Sequence, residues 1–169
     1  MKNNVLLLGG SGTLGKTLIN SKLIKNLKYP TSKVVNILRQ KTIKEYILKN
    51  NIKLIIHFAA LSKVKECEEN KKKAYNINVV GTANVVKAIK NTKNEVKLLF
   101  MSSDAVYPPL RGNHKETDKL KPYNFYGLTK LIGEQLVKLI KNHIIVRGRF
   151  FDKKKYFLKI LLLTFIPQV

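Results

Sequence analysis

The chain has 169 residues, 44% of them hydrophobic and 25% charged, with a formal charge of +23. That length suits one domain around one core, and that balance excludes an intrinsically disordered chain. The lone cysteine, Cys67, excludes an internal disulfide framework and fits a reducing cytoplasm; the first apolar run is too short for a signal peptide and no window has the length of a membrane span.

Val5-Leu6-Leu7-Leu8 reads as a buried parallel strand running into Gly9-Gly10-Ser11-Gly12-Thr13-Leu14-Gly15. Residues 14–27 then carry apolar side chains at helical spacing, and Tyr29-Pro30 ends that pattern. The glycine spacing suits a dinucleotide loop. Gly9 turns the chain sharply, Gly12 lets backbone N–H groups approach a pyrophosphate, and Gly15 lets the helix sit close on the strand. The anion would rest on the helix N-terminus, where free N–H groups and the macrodipole favour negative charge. Such glycines also occur in plain loops of α/β proteins; the strand before and the helix after argue for the cofactor site.

Further along, residues 34–38 are predicted as a second strand and residues 43–48 as a short helix. Residues 54–58 form a third strand ending in Ala59-Ala60. The charged stretch 63–73 reads as a solvated helix surface, and residues 74–89 as a long helix with Val79, Val80, Ala83, Val86 and Ile89 on one side. A fourth strand over 96–101 opens on Ser102-Ser103. The turn-rich stretch 108–122 is too long for a mere connection. A helix over 126–140 and a fifth strand over 143–147 complete the alternation. Strands alternating with helices predict a Rossmann-like α/β fold: a doubly wound parallel sheet of about five strands, with helices on both faces and ligands at the carboxyl ends of the strands. Residues 156–169 form an apolar segment interrupted by Lys159, expected to be a helix whose packing partner lies outside this chain.

The charge invites a nucleic-acid or membrane reading. The lysines are scattered through every segment, however, among abundant asparagine and isoleucine, residues that share A/T-rich codons. Arginine appears only at 39, 111, 147 and 149. Neither nucleic acid nor membrane is expected as a partner. His57, His114, His143 and Cys67 show no ligand spacing, and no metal is expected.

Tyr126 and Lys130 stand four apart on one helix face. A phenol titrates near pH 10 and is a poor acid–base group at neutrality; a neighbouring ammonium would favour its ionised form. Ser103, at the end of the fourth strand, could hold the substrate oxygen on which Tyr126 acts, an arrangement suited to hydride transfer at a carbinol carbon. Tyr29 and Lys33 repeat the spacing, but Pro30 excludes a mid-helix pair there.

These residues resemble the extended short-chain dehydrogenase/reductases that act on nucleotide sugars, over residues 4 to 150. The glycine loop, Ile56-His57-Phe58-Ala59-Ala60, Asn76-Ile77-Asn78-Val79-Val80-Gly81-Thr82-Ala83-Asn84, Phe100-Met101-Ser102-Ser103-Asp104-Ala105-Val106-Tyr107, Glu116-Thr117-Asp118, Pro122 and Tyr126-Gly127-Leu128-Thr129-Lys130-Leu131-Ile132-Gly133-Glu134 carry the resemblance, in order. Within the group they look most like the dTDP-4-dehydrorhamnose reductases, which reduce a 4-keto nucleotide sugar with NADPH or NADH. The resemblance implies Ser103, Tyr126 and Lys130 as catalytic residues. It implies a cofactor site of Gly9, Gly12, Thr13, Leu14, Gly15, Arg39, Ala59, Ala60, Asn78, Tyr126 and Lys130, with Asn78 helping to order the active site and Arg147 structural. An epimerase or dehydratase of the same family has the same catalytic positions and stays open.

Two departures matter. No acidic residue follows the predicted second strand; Leu38-Arg39 stands there, and a guanidinium suits a 2′-phosphate, so NADP(H) is favoured and NAD(H) is the alternative. An ordinary surface arginine would also account for Arg39. Second, the family continues beyond this length with a substrate-binding part. Residues 1–150 are therefore expected to be an NAD(P)-binding Rossmann domain and 151–169 the apolar remnant of an incomplete substrate domain. That segment would support homodimerisation or association with another chain, and a non-catalytic cofactor-binding or regulatory chain is the reading from a different class.

Overall fold

The structure is a computed structural model and describes residues 4–92, 94–109 and 113–148. Strands β1 (Asn4–Leu8), β2 (Leu27–Lys28), β3 (Ile52–His57), β4 (Lys97–Met101) and β5 (His143–Val146) form one sheet in the order β2-β1-β3-β4-β5. Every pairing is parallel. The helices are α1 (Thr13–Ser21), α2 (Gln40–Lys49), α3 (Val64–Glu69), α4 (Lys71–Tyr75), α5 (Gly81–Lys90) and α6 (Phe125–Val137). A π-helical turn, Asn76–Val80, joins α4 to α5, and a 3₁₀ turn, Asp104–Val106, follows β4. The expected Rossmann-like α/β fold is the one observed.

The central strands read as unbroken apolar runs because both of their faces are covered. Alternate residues go to opposite sides of the sheet. Leu6, Leu8, Ile55, Leu98 and Phe100 pack with Ile43 and Ile47 of α2 and Val85, Val86 and Ile89 of α5. Val5, Leu7, Ile56, Leu99 and Met101 pack on the other side with Leu18 of α1.

The second strand is where the structure departs from expectation. The helix predicted over 14–27 stops at Ser21, where Lys22 takes a left-handed φ of 55° and donates its N–H to the Ile19 carbonyl. The strand is Leu27–Lys28, paired with Val5 and Leu6. Pro30 has no N–H to continue the ladder, so β2 ends almost as it begins. Residues 34–38 are turns instead. Val34 and Val35 both donate to the Thr31 carbonyl, the Asn36 Oδ1 accepts from Leu38 N at 2.9 Å, and the Asn36 N–H donates to Thr42 Oγ1 at 3.1 Å. Those local bonds take the groups a strand would have offered. Val35 is buried and Ile37 packs against the same cluster, which explains the apolar composition without a strand.

The long helix over 74–89 is present but begins earlier and is loosened in its middle by the π-helical turn that carries Asn78. No helix among the described residues is long and apolar enough to cross a membrane. The predicted boundary at 150 and the apolar segment 156–169 lie outside the described residues.

Candidate active site

The chain leaves β1 towards β2 on one side, while β3 pairs on the other side of β1. The segments beyond these strands therefore diverge and open a crevice at their carboxyl ends. Gly9 turns the corner with a φ of +94°, and a Cβ there would stand 2.5 Å from the Ala59 nitrogen. Gly15 lies just as close, since its Cβ would come to 2.2 Å from the Gly9 carbonyl oxygen. The loop closes through Gly12 N–H donating to the Gly9 carbonyl at 3.2 Å. Gly12 is the N-cap of α1, with no side-chain cap and no acidic residue in the first turn. The N–H groups of that turn stay available at the positive end of the helix dipole. A Cβ on Gly12 would meet only the Gly9 oxygen, at 3.5 Å, so this face of the loop is open. These features fit the pyrophosphate of a dinucleotide.

The cleft measures about 250 Å³. Its floor is Gly9, Gly12, Thr13, Leu14 and Gly15; Phe58, Ala60 and Ser62 line the side beyond β3, and Met101, Tyr126 and Lys130 close the far wall. Ser103 Oγ accepts from the Ala105 N–H at 3.1 Å, donates to Asp104 Oδ1 at 3.1 Å, and shares a hydrogen bond with the Tyr126 phenol. The Asn124 side chain caps α6 by accepting from Gly127 N–H at 2.7 Å, which fixes the turn that presents Tyr126.

The spacing predicts that Lys130 lowers the Tyr126 pKa. Burial overrides it: the phenol is pushed up to about 12, with the Ser103 hydrogen bond acting in the opposite direction. At neutral pH Tyr126 keeps its proton, the state a proton donor needs. Lys130 is itself buried, its ammonium 4.0 Å from the Phe100 ring centroid. Burial pushes it down to about 7, and Glu134 opposes that shift. His57, at the end of β3, is held down to about 3 by burial and by Lys130. Its Nε2 donates to Thr82 Oγ1 at 3.2 Å, because the Thr82 hydroxyl spends its own proton on the Asn78 carbonyl.

Two expected cofactor residues stand elsewhere. The Asn78 amide is consumed inside the protein: Oδ1 accepts from Leu61 N–H at 2.7 Å, and Nδ2 donates to the Leu61 carbonyl at 3.0 Å and to Thr129 Oγ1 at 2.9 Å. It ties the segment after β3 to the Tyr126 turn of α6, ordering the cleft without lining it. Arg39 follows no strand; it is the exposed N-cap of α2. The premise that placed it beside the adenosine ribose does not hold, because the strand before it is absent. Ala59 backs Gly9, whereas Ala60 lines the cleft.

Sequence reasoning left out Glu134, Ser102 and Tyr107, and placed Arg147 only as structural. Glu134 is fully buried and accepts from Ser102 Oγ and, through both oxygens, from Arg147. Arg147 goes on to the Tyr107 hydroxyl at 2.8 Å. The available signal was an acid four residues past Lys130 on an otherwise apolar helix face. Among the described residues no group of three or more His, Cys, Asp or Glu is placed to hold a metal ion.

Comparison with known proteins agrees with this geometry. The family described as RmlD substrate binding domain matches residues 1–163. A spore coat polysaccharide biosynthesis protein, SpsK, of Bacillus subtilis is 30% identical over 150 residues, which are 85% of this chain and 51% of the relative. Among solved structures, dTDP-4-dehydrorhamnose reductase from Bacillus anthracis in complex with NADP superposes with a TM-score of 0.80 at 31% identity, covering 87% of this chain and 53% of that one. UDP-glucose 4-epimerase from Brucella ovis in complex with NAD gives a TM-score of 0.74 at 28% identity, covering 86% of this chain and 51% of that one. The chain spans about half the length of these relatives.

Proposed function

Because the chain belongs to the RmlD substrate binding domain family, we propose that it forms the cofactor-binding half of an NAD(P)-dependent oxidoreductase of nucleotide-sugar metabolism, reducing a 4-keto sugar nucleotide as dTDP-4-dehydrorhamnose reductase does. The observation that carries this reading is the protonated Tyr126, hydrogen-bonded with Ser103 on the wall that Lys130 shares, at the far end of a cleft floored by the glycine turn.

A nicotinamide cofactor supplies a hydride when bound. The N–H groups at the start of α1 bind its pyrophosphate, and the bare face of Gly12 lets them come close. Ser103 and Tyr126 together grip the carbonyl oxygen of the sugar. As charge develops on that oxygen, Tyr126 donates its proton, and Lys130, when charged, stabilises the phenolate left behind. Phe58 and Met101 give the cleft apolar walls there. NADP(H) is the favoured cofactor, since no acidic residue lies between Leu27 and Arg39 to hold free ribose hydroxyls.

Titration with NADPH and NADH, followed by fluorescence, tests the central claim; a chain that binds neither refutes it. Equilibration of a sugar nucleotide at C4 is the second reading, favoured by the similarity to an epimerase of equal coverage. Stoichiometric consumption of NADPH supports the reductase, whereas interconversion of epimers without net consumption supports the epimerase. Tight cofactor binding with neither reaction points to the non-catalytic chain.

A further inference from the structure

One buried charged cluster lies behind the site and takes no part in the chemistry assigned above. Glu134 stands one helical turn beyond Lys130 and two beyond Tyr126, on the same face of α6. Its Oε1 accepts from Ser102 Oγ at 2.5 Å and from Arg147 Nε at 3.0 Å, and its Oε2 from Arg147 Nη2 at 2.8 Å. Ser102 is the chain neighbour of Ser103 at the end of β4. Arg147 Nη1 donates onward to the Tyr107 hydroxyl at 2.8 Å and to the Glu116 carbonyl at 3.1 Å, and the Tyr107 hydroxyl donates to the Lys115 carbonyl at 3.1 Å. One carboxylate on the helix of Tyr126 and Lys130 thus reaches the strand end of Ser103 and, through Arg147, Tyr107 and Glu116.

A buried ion pair is often replaceable by apolar side chains at no loss of stability, so stability alone is a weak reason for this one. Its placement supplies another. We propose that Glu134 is a positioning residue of the site: it holds Ser103 in register with Tyr126 and sets a buried negative charge facing Lys130, while Arg147 extends that hold to Tyr107 and Glu116. This rests on the reading of Lys130 as an active-site group.

The other groups around Lys130 come from several elements. Phe100 of β4 lies under its ammonium, and His57 of β3 is neutral and buried. Tyr126 shares its helix. Arg147, beyond β5, stands behind Glu134, and Asp104 and Cys67 face Tyr126. Of these, Glu134 is the group that opposes the effect of burial on Lys130.

The test is an NMR titration of the lysine side-chain methylene carbons, with the Lys130 signal identified by its loss in Lys130→Met. In Glu134→Gln the Lys130 midpoint should fall by about one pH unit, the size expected for a single charge across a partly screened interior. The double variant Glu134→Gln/Arg147→Gln removes the guanidinium together with its partner and serves if the single variant fails to fold. Its midpoint should also fall, because the carboxylate that opposes burial is lost in both variants. A purely structural role would loosen the packing and let the midpoint rise towards that of an ordinary lysine. An unchanged or raised midpoint in a cooperatively melting variant overturns the proposal. NADPH affinity, measured across pH, should lose its Lys130-dependent part at a correspondingly lower pH in Glu134→Gln. If the wild type binds neither NADPH nor NADH, the functional reading fails, and the titration still decides the role of Glu134.

Discussion

Gly12→Ala separates the cofactor loop as a binding device from the same loop as a structural turn. Gly12 has φ −73° and ψ 168°, an extended conformation open to any residue. An added Cβ would find its nearest neighbour at 3.5 Å, an ordinary contact. Folding should therefore tolerate the change, and the reduced freedom of the unfolded chain should stabilise the protein by about 0.5 kcal/mol. The new methyl instead occupies the open side, over the first N–H groups of α1. Displacing a pyrophosphate there weakens at least one charge-assisted hydrogen bond, worth about 1.5–3 kcal/mol, or roughly ten- to a hundredfold in affinity. Gly15→Ala is the control. Its Cβ would lie 2.2 Å from the Gly9 oxygen and 2.7 Å from Gly10 Cα, so overpacking should lower stability by about 1–3 kcal/mol along with binding. The assays are thermal melting and NADPH fluorescence titration on both variants. A Gly12→Ala protein that melts like the wild type and binds NADPH with unchanged affinity would refute the placement of the anion on α1.

Tyr126→Phe should abolish turnover of a 4-keto sugar nucleotide while leaving NADPH affinity nearly intact; full activity in that variant removes Tyr126 as the proton donor. Asn78→Ala leaves the Leu61 N–H without its partner and the Leu61 carbonyl with only the Cys67 thiol, and should cost about 1–3 kcal/mol in urea denaturation; a loss below the scatter between ordinary surface variants would deny Asn78 its structural role. His57 has a folded pKa of about 3 against an ordinary 6.5. Between these values the unfolded chain takes up a proton that the folded one refuses, so stability is lost as pH falls from 6.5, at up to about 1.4 kcal/mol per pH unit. Denaturation midpoints from pH 7 to 4.5 check this, and a His57→Gln slope as steep as that of the wild type would assign the acid sensitivity elsewhere.

The reach of sequence reasoning differed with the range of the interaction. Residues 5–8, 54–57 and 97–101 read correctly as strands because a run buried on both faces is apolar at every position. Residues 34–38 are apolar but for Asn36 and form no strand; Val35 and Ile37 use their side chains to cover the core from a loop. Hydrophobic content reports burial, and burial on a loop looks the same as burial on a strand. The inference from Arg39 to the ribose failed with that strand, since its whole force lay in standing at a strand end.

The sequence by itself determined what depends on residues close along the chain: the glycine turn, its leading strand and trailing helix, and the shared face of Tyr126 and Lys130. Only the tertiary structure decided what these groups do to one another. Ser103 meets Tyr126 across the intervening loop, Asn78 reaches Thr129 on another helix, and Glu134 finds Arg147 only because β5 lies beside β4. The sign of the Tyr126 shift belongs to this second class. Spacing places an ammonium four residues from the phenol and favours ionisation, whereas burial by distant segments disfavours it. Desolvation depends on everything packed around a group, so no local pattern could have shown which effect prevails.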